Sequence, residues 1–489
     1  MWTRIGSMVD AEGLRGAAQR MNFDQIAALV VLVAVVGALI YGKIRADVVA
    51  LTGAAALLIM GVVRPVEVQG AFASPAVVAL AGLFVIAYAI ELSGLLGLLI
   101  RKATALASRV GARGIWMVIA MCGSVGGFLN NTPVVVLAAP VIRDVATSLK
   151  LSPKRFLMPL SHVTVMGGLL TLIGTSTNLL VNDMARNAGQ QVFTLFEITP
   201  VGLVIAAVGG LWLYFVGARQ LGRSVAADEA EQARQAEMEE ARRLAAEEAS
   251  RKRRRLIPFG FPRLGEARNQ ADGSGDAHLG DVDLYGAADR PFRLRPAAIS
   301  MAIFALVIFS AAVGWVPIAA AAFAGAVALI LLRVITPEEA YAGLRPEILL
   351  LIAGMVVVGM AIEVTGLASA GAERLIDVIR PLGPLGALIV LYGVTLFATE
   401  LLSNATVAVL ITPVAVALAE SLGVDPRPFL VCVMMAASAA FATPFGYQTN
   451  VLVFNMGGYS YMDFVKIGVP LNLITWAAAM VAIPLFFPF

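Results

Sequence analysis

The stretch NNTPVVVLAAPV at residues 130–141 is matched by SNATVAVLITPV at residues 403–414. The two stretches share an asparagine, Asn131 or Asn404, and further along a proline, Pro140 or Pro413. Both place polar residues directly ahead of an apolar run, a pattern that predicts a helix beginning at a polar tip. Two copies of one such unit, with their asparagines 273 positions apart, indicate an internal duplication.

The duplication continues on both sides of these stretches at nearly constant spacing. AIELSGL (89–95) aligns with AIEVTGL (361–367) with five of seven residues identical, and TLIGTSTNLLV (171–181) aligns with TPFGYQTNVLV (443–453) with six of eleven identical. The two halves are therefore one fold repeated. We divide the chain into an N-terminal segment 1–25, a first repeat 26–217, a charged loop 218–296 and a second repeat 297–489.

The composition excludes a soluble protein. Of the 489 residues, 59% are hydrophobic and only 14% are charged, and the mean hydropathy is +0.84. Residues 218–295 alone hold 15 of the 36 Lys/Arg and 14 of the 33 Asp/Glu, so the rest of the chain has too few charges to cover a soluble surface. A polytopic all-α membrane protein is expected, and a cytosolic enzyme is excluded. The net charge of +3 does not point to nucleic acid.

Ten segments are apolar enough to cross a bilayer. They are residues 26–41, 48–63, 76–100, 156–181, 198–216, 297–314, 316–334, 348–368, 429–454 and 467–487. Two further apolar stretches, 114–142 and 385–419, are longer than one span and are interrupted by NNT (130–132) and SNAT (403–406). Each of these is either two short spans or a re-entrant hairpin whose polar tip stops at mid-membrane.

The basic residues indicate the orientation in the membrane. With five crossings per half, 28 of the 36 Lys/Arg fall on one side, together with the central loop, which the positive-inside rule places in the cytoplasm. Two short spans in place of each hairpin would leave this sidedness unchanged. Since five is an odd number, the second half enters the membrane inverted. Inverted repeats are typical of secondary transporters, whose substrate site lies at the midplane between the halves.

Each half has two polar islands in apolar sequence: the tips NNT and SNAT, and the strings GTSTN (174–178) and GYQTN (446–450). Unwound backbone at membrane depth is tolerated where it is buried in protein or lines a cavity, and such breaks bind anions at helix N-termini and sodium at free carbonyls. Thr132 followed by Pro133 is interpreted as an N-cap with proline at the first helical position. Polar contacts between helices are the alternative for a single island, but four islands at equivalent positions favour a binding site.

Other polar residues are weaker candidates. His162 could relay protons, although a lone histidine is more often a packing residue. Glu91 and Glu363 occupy matching positions near helix ends, and Glu400, four residues before Asn404, could face the site. Cys122 and Cys432 lie far apart in apolar segments and define neither a disulfide framework nor a metal site. No ATP-binding, HExxH or GxSxG string occurs, so the sequence predicts neither an ATP-driven pump nor an enzyme.

The chain resembles the divalent anion:sodium symporter family (solute carrier family 13) within the larger ion transporter superfamily. The strings NNTPVVVLAAPV (130–141), LIGTSTN (172–178), SNATVAVLITPV (403–414) and TPFGYQTNVLVFNMGGYSYMDF (443–464) carry the resemblance. It implies two inverted repeats, each with about five transmembrane helices, one re-entrant hairpin and one broken helix. It also implies a homodimer, two sodium sites with sodium as the coupling ion and no other cofactor, and elevator-type movement of the transport domain.

Carried over by position, the resemblance implies site residues in both halves. A first sodium site would use Gly126, Asn130, Asn131 and Gly174, and a second would use Thr399, Asn404 and Gly446. The anion would lie near Asn131, Thr132, Thr175, Ser403, Asn404, Tyr447 and Gln448. The chain departs from the family pattern at Asn130, where a serine is usual, and at Ala405, where a threonine is usual; Thr406 could replace the missing hydroxyl.

These observations lead to the expectation of a multi-pass cell-membrane protein, in a bacterial inner membrane, with its central loop in the cytoplasm. We expect sodium-coupled symport of a small divalent anion, either sulfate or a C4-dicarboxylate, with a compact inorganic oxyanion slightly favoured. A proton-coupled carrier or an exporter of the citrate or arsenite type is the alternative, and an ion channel is a more distant one.

Overall fold

A computed structural model describes residues 22–41, 43–222, 291–367, 382–444 and 446–489. Within these ranges the chain is helical and contains no strand. The predicted all-α membrane class is therefore confirmed. Most of the N-terminal segment 1–25 and most of the charged loop 218–296 lie outside the described residues.

The first half contains ten α-helices. They are α1 (Phe23–Tyr41), α2 (Ala46–Ile59), α3 (Pro65–Phe72), α4 (Pro75–Leu92), α5 (Leu95–Val110), α6 (Ala112–Gly126), α7 (Asn131–Ser148), α8 (Lys154–Gly167), α9 (Ser176–Asn187) and α10 (Thr199–Trp212). A 3-10 turn, Gly168–Leu170, follows α8, and a π-helical segment, Leu213–Gly217, extends α10.

The second half repeats this order. Its described helices are α11 (Leu294–Ala312), α12 (Ile318–Leu331), α13 (Pro337–Gly343), α14 (Pro346–Val364), α15 (Gly383–Leu401), α16 (Asn404–Leu422), α17 (Arg427–Ala437), α18 (Gln448–Gly457) and α19 (Tyr461–Phe486). They correspond in order to α1–α4 and α6–α10. The stretch equivalent to α5 falls within residues 368–381, outside the described part of the chain.

One predicted span is wrong in its bounds. Residues 76–100 do not form a continuous helix, because α4 ends at Leu92 and α5 begins at Leu95. Gly94 adopts a left-handed conformation (φ 71°), which interrupts the helix at low steric cost. The Ser93 hydroxyl accepts a hydrogen bond from the Leu95 amide at 3.3 Å, which satisfies a free donor of the new helix.

Seven of the described helices are long and apolar enough to cross a membrane, and several others are apolar but shorter. Three of the seven match predicted spans: α10 with its π-helical extension, α11 and α14. A fourth, which starts at Pro65 and runs through α4, overlaps the predicted span 76–100 but ends at Leu92. A fifth, α19, is longer than the predicted span 467–487 and begins at Tyr461. The remaining two, α15 and α16, are the arms of the second interrupted stretch.

The two halves pack against each other reciprocally. Helix α2 packs on α14 while α4 packs on α12, and α7 packs on α18 while α9 packs on α16. Each contact has a counterpart in which the halves exchange roles, which defines a pseudo-twofold relation between them.

Glycines allow the helices to pack closely where α4 crosses α12 and where α14 crosses α2. A β-carbon on Gly82 of α4 would lie 2.5 Å from the Ala322 carbonyl carbon, and one on Gly354 of α14 would lie 2.8 Å from the Ala50 carbonyl carbon. Gly82 and Gly354 are equivalent in the repeat, as are Ala50 and Ala322. Small residues at helix crossings let the backbones touch, which is the usual basis of helix association in membranes.

Candidate functional site

The first polar tip joins α6 to α7. Asn130 is the N-cap of α7, and its Oδ1 accepts a hydrogen bond from the Thr132 amide at 3.0 Å. The interpretation of Thr132 as the N-cap is therefore wrong, since α7 begins at Asn131, two residues before the predicted first helical position at Pro133. Pro133 lies within the first turn, where its missing N–H would have had no intrahelical partner.

The second tip joins α15 to α16 in the same way. Ser403 is the N-cap, and its hydroxyl accepts from the Thr406 amide at 3.3 Å and lies 2.7 Å from the Thr406 hydroxyl. Thr406 thus brings a second hydroxyl to this tip, next to Ser403.

The first break separates α8 from α9 and spans the 3-10 turn and an extended segment up to Thr175. Asn178 holds it together, since its Nδ2 donates to the Gly168 carbonyl at 3.3 Å and to the Thr171 carbonyl at 3.0 Å. The Thr171 hydroxyl donates to the Gly127 carbonyl at the first tip. The break and the tip of the first half are therefore joined.

The second break, between α17 and α18, has the same design. Asn450 Nδ2 donates to the Ala440 carbonyl at 2.9 Å and to the Thr443 carbonyl at 3.2 Å, the positions equivalent to Gly168 and Thr171. Both breaks lie further towards the N-terminus than the strings GTSTN and GYQTN suggest. Residues 176–178 and 448–450 are already in the first turns of α9 and α18.

The first tip contacts the second break across the pseudo-twofold relation. Asn131 Nδ2 donates to the Tyr447 hydroxyl at 3.2 Å, and the Thr132 hydroxyl donates to Gln448 Oε1 at 3.2 Å. Four of the seven predicted anion-binding residues are therefore in direct contact. Since Tyr447 caps α18 and Asn131 begins α7, two helix N-termini meet here.

A polar cavity of about 50 Å³ lies beside this contact. The predicted residues that line it are Asn130, Asn131, Gly174, Thr175 and Tyr447. The opposite wall is apolar and comes mainly from α4, with Phe304 and Ile348 of the second half. No lysine or arginine is among the described residues that line the cavity. An ion held here would be contacted by amides, hydroxyls and backbone groups.

The residues predicted for the first sodium site suit a small cation. Asn131 Oδ1 is buried and has no hydrogen-bond partner among the described residues. A β-carbon on Gly126 would lie 2.9 Å from this oxygen, and one on Gly174 would lie 2.6 Å from the Gly168 carbonyl oxygen and 2.9 Å from that of Gly127. The absence of a side chain thus leaves room next to Asn131 Oδ1 at Gly126 and next to the Gly168 and Gly127 carbonyl oxygens at Gly174. Oxygens are the donor type with which unwound segments coordinate sodium.

The residues predicted for the second sodium site are only partly in contact. The Thr399 hydroxyl lies 2.8 Å from Asn404 Oδ1 and 2.7 Å from the Ala437 carbonyl. Gly446 instead adjoins Thr443 and Glu400, since a β-carbon on it would lie 3.0 Å from the Thr443 hydroxyl and 3.2 Å from Glu400 Oε2. Within the described ranges, no hydrogen bond joins Ser403 or Asn404 to the cluster around Asn131.

The weaker candidates occupy different surroundings. His162 is fully buried, with ring centroids 5.1 Å from Phe441 and 5.9 Å from Phe464, and neither ring nitrogen has a hydrogen-bond partner among the described residues. Glu91 and Glu363 are each the penultimate residue of α4 or α14, as expected for helix-end residues. Glu400 contacts the second break, since its carboxylate accepts hydrogen bonds from the Ala442 and Thr443 amides.

Asn178 and Asn450 hold the two breaks together, although neither is among the residues predicted for the site. Both belong to the TN pairs of the aligned strings at 171–181 and 443–453. Their identical positions in the repeat were visible, but the carbonyl groups that they bind belong to unwound segments whose path no periodicity predicts.

Two equivalent helical halves, packed reciprocally around paired polar tips and broken helices, define a membrane transporter of the inverted-repeat class. The chain belongs to the citrate transporter family: the family model described as CitMHS, citrate transporter, matches residues 31–426 and 401–489.

Similar proteins agree with this class. An uncharacterized transporter, sll0640, of Synechocystis is 25% identical over 90% of this chain and 94% of its own length. Sodium/sulfate cotransporter 1 of Chlamydomonas reinhardtii is 35% identical over 26% of this chain and 14% of its own. The sodium-dependent dicarboxylate transporter SdcS of Staphylococcus saprophyticus is 31% identical over 26% of this chain and 24% of its own. The predicted resemblance to the ion transporter superfamily is thereby confirmed.

A solved structure shares the fold. The YdaH transporter of Alcanivorax borkumensis, described as having an unusual topology, superposes with a TM-score of 0.54 at 11% identity, covering 86% of each chain. This likeness concerns the fold alone.

Proposed function

We propose that the chain is a sodium-coupled symporter of a small divalent anion, either sulfate or a C4-dicarboxylate. The observation that carries the proposal is the buried Asn131 Oδ1, which has no hydrogen-bond partner among the described residues and lies next to Gly126, in a residue that lines the cavity. A bound sodium ion would add positive charge next to a cavity whose described lining has no basic side chain. Asn131, Gly126 and Gly174 would hold it, with Asn130 at the same tip.

The anion would be held by neutral donors. Thr175 and Tyr447 line the cavity, and Thr132 and Gln448 lie at the neighbouring contact between tip and break. The N-termini of α7 and α18 meet there, and both helix ends favour negative charge. The partial matches to a sodium/sulfate cotransporter and to a sodium-dependent dicarboxylate transporter support these two substrate classes. The altered tips, with Asn130 and Ala405 at the two departures from the family pattern and a hydroxyl on Thr406, favour the more compact oxyanion.

The hairpins of α6–α7 and α15–α16 are proposed to be re-entrant. The first tip contacts Tyr447, which lies in the break between α17 and α18, and a break in the middle of a membrane-crossing element falls near the midplane. Tips that end at this depth would leave the polar cavity inside the membrane, where both sides can reach it alternately.

An elevator-type alternating-access mechanism fits an asymmetry in the packing. Helix α14 packs directly on α16 of the second hairpin, whereas the cavity lies between the equivalent helix α4 and the first tip. If the two halves exchanged these arrangements, the cavity at the first tip would close and an equivalent cavity would open at the second tip. We further propose that the protein is a homodimer in a bacterial inner membrane, with its central loop in the cytoplasm.

A proton-coupled citrate carrier is the second candidate, and the citrate transporter family model favours it. In that case His162, Glu91 or Glu363 would be tested for a role in proton movement. An exporter of the same superfamily is a further variant of this candidate, while a channel would conduct without concentrating its ion.

Counterflow in proteoliposomes tests the proposal. Purified protein would be assayed with sulfate, thiosulfate, succinate and citrate, each with sodium or with choline, and each with or without a pH gradient. We expect sodium-dependent counterflow of sulfate or succinate. Citrate movement that requires a proton gradient and is unchanged by choline would select the second candidate. Flux without concentrative uptake would select a channel.

A further inference from the structure

Glu400 near the end of α15 has a carboxylate that is fully engaged with the second break. Its Oε1 accepts hydrogen bonds from the Ala442 amide and from Asn472 Nδ2, both at 2.8 Å. Its Oε2 accepts from the Thr443 amide at 3.0 Å and from the Thr443 hydroxyl at 2.8 Å. All four of these groups donate their hydrogen bonds to Glu400. This matches an ionised carboxylate, whose two oxygens both accept hydrogen bonds.

The first half has no counterpart to this carboxylate. At the spacing of the two tips, Glu400 corresponds to Gly127. The threonine contact is common to both halves, because the Thr171 hydroxyl donates to the Gly127 carbonyl and Thr443 donates to Glu400. The second half therefore keeps the link between tip and break and adds a negative charge to it.

The carboxylate has two consequences for its surroundings. It occupies the Ala442 and Thr443 amides, so these donors of the second break are not available to a bound anion. It also lies beside one of the residues predicted for the second sodium site, since a β-carbon on Gly446 would lie 3.2 Å from Glu400 Oε2. Within the described ranges, no lysine or arginine forms an ion pair with Glu400.

We propose that Glu400 is a positioning residue of the second cation site. It fixes the backbone at Ala442 and Thr443 and directs a negative charge towards a cation held by Thr399, Asn404 and Gly446. By occupying the amides of the second break, it also confines the anion to the cavity at the first tip. The proposal rests on the sodium coupling proposed above.

The test compares wild type with Glu400→Gln, which keeps the shape and removes the charge, and with Glu400→Asp, which keeps the charge. The exposed Glu338→Gln in α13 is the matched control. Uptake into proteoliposomes gives the sodium concentration for half-maximal rate and the anion KM at saturating sodium. The sodium-induced rise in unfolding temperature of the purified protein gives a measure of cation binding that does not depend on transport.

We expect Glu400→Gln to raise the half-maximal sodium concentration at least about tenfold and to reduce the sodium-induced thermal shift. The anion KM at saturating sodium should change less than about threefold, and Glu400→Asp should stay within about threefold of wild type in sodium. Unchanged sodium dependence in Glu400→Gln would overturn the proposal, as would an equal shift in Glu400→Asp. If Glu400→Gln does not fold, Glu400→Asp decides. Wild-type uptake that ignores sodium would instead overturn the sodium coupling itself.

Discussion

Asn131 and Tyr447 come from opposite halves of the chain and are joined by a hydrogen bond of 3.2 Å from the asparagine Nδ2 to the tyrosine hydroxyl. The buried Oδ1 of the same side chain has no hydrogen-bond partner in the part of the chain that the structure describes. The Asn131 side-chain amide therefore links the first tip to the second break through its nitrogen, while its oxygen has no partner among the described residues.

Asn131→Ala or Asn404→Ala should reduce uptake to background, because each removes the tip amide from one of the proposed binding sites. The loss of about one neutral hydrogen bond should lower stability by about 1 kcal/mol, too little to unfold the protein. Uptake in proteoliposomes and thermal unfolding in detergent measure the two effects. The control is Asn187→Ala, at an exposed position in the last turn of α9. Normal transport by purified Asn404→Ala would contradict the site assignment.

Asn178→Asp and Asn450→Asp should each destabilise the protein by about 1–3 kcal/mol. Each change replaces a donor that bridges two carbonyl groups with an oxygen that faces them, while the shape of the side chain is kept. Thermal unfolding of the two variants measures the loss, with Asn187→Asp as the exposed control. Because the two asparagines make equivalent contacts, a loss in one variant and none in the other would show that the breaks are not equivalent.

Gly82→Ala should destabilise the packing between the halves by about 1–3 kcal/mol, since the added methyl group would lie 2.5 Å from a backbone atom of α12. Gly354→Ala should act similarly at the α2 crossing. Gly210→Ala in α10 is the matched control, because a β-carbon there would meet nothing within 4 Å. Unfolding temperatures that agree among the three variants would mean that the helices shift apart at little cost.

Glu197→Gln should lower the unfolding temperature at pH 7 by an amount that disappears in acid. Glu197 lies in the loop between α9 and α10 and pairs with Arg427 of the second half. Burial raises the pKa of Glu197, but hydrogen bonds from the Thr194 amide and from Arg427 outweigh burial and hold the pKa below its ordinary value of 4.5.

A lowered carboxyl pKa gives stability that is present above the ordinary value and is lost as the pH falls through the folded-state value. The difference between wild type and Glu197→Gln, about 1 kcal/mol at pH 7, should therefore begin to shrink near pH 4.5 and continue to shrink below it. Thermal unfolding between pH 7 and pH 3 measures it, with the exposed Glu338→Gln as control. A difference that is constant with pH would mean that the charge of Glu197 is not what stabilises the loop.

The sequence was sufficient to predict the duplication, the helical class, the tip asparagines and the two broken helices. The reason is that duplication preserved local signals at a fixed spacing, so that each weak signal in one half was supported by its counterpart in the other. Asn131 and Asn404, for example, begin equivalent helices as the aligned strings indicate.

The parts that could not be predicted depend on competition or on distant contacts. Pro133 suggested a helix start two residues too late, because the Asn130 side chain caps the Thr132 amide ahead of it. The ends of the breaks were misplaced since polar residues such as Thr177 also suit the first turn of a helix. The contacts of Glu400 depend on how α15 meets a segment more than forty residues further along the chain, which no local pattern records.

The reciprocal crossings of Gly82 on Ala322 and of Gly354 on Ala50 also bear on how the chain is synthesised. Helices α2 and α4 leave the ribosome long before α12 and α14 exist, so neither crossing can form until its partner helix in the second half has been made. The inserted first half must therefore wait in the bilayer with these faces against lipid. The native bundle thus packs largely after its helices have been inserted. Halves produced as separate chains would have to meet within one membrane before either could complete its packing.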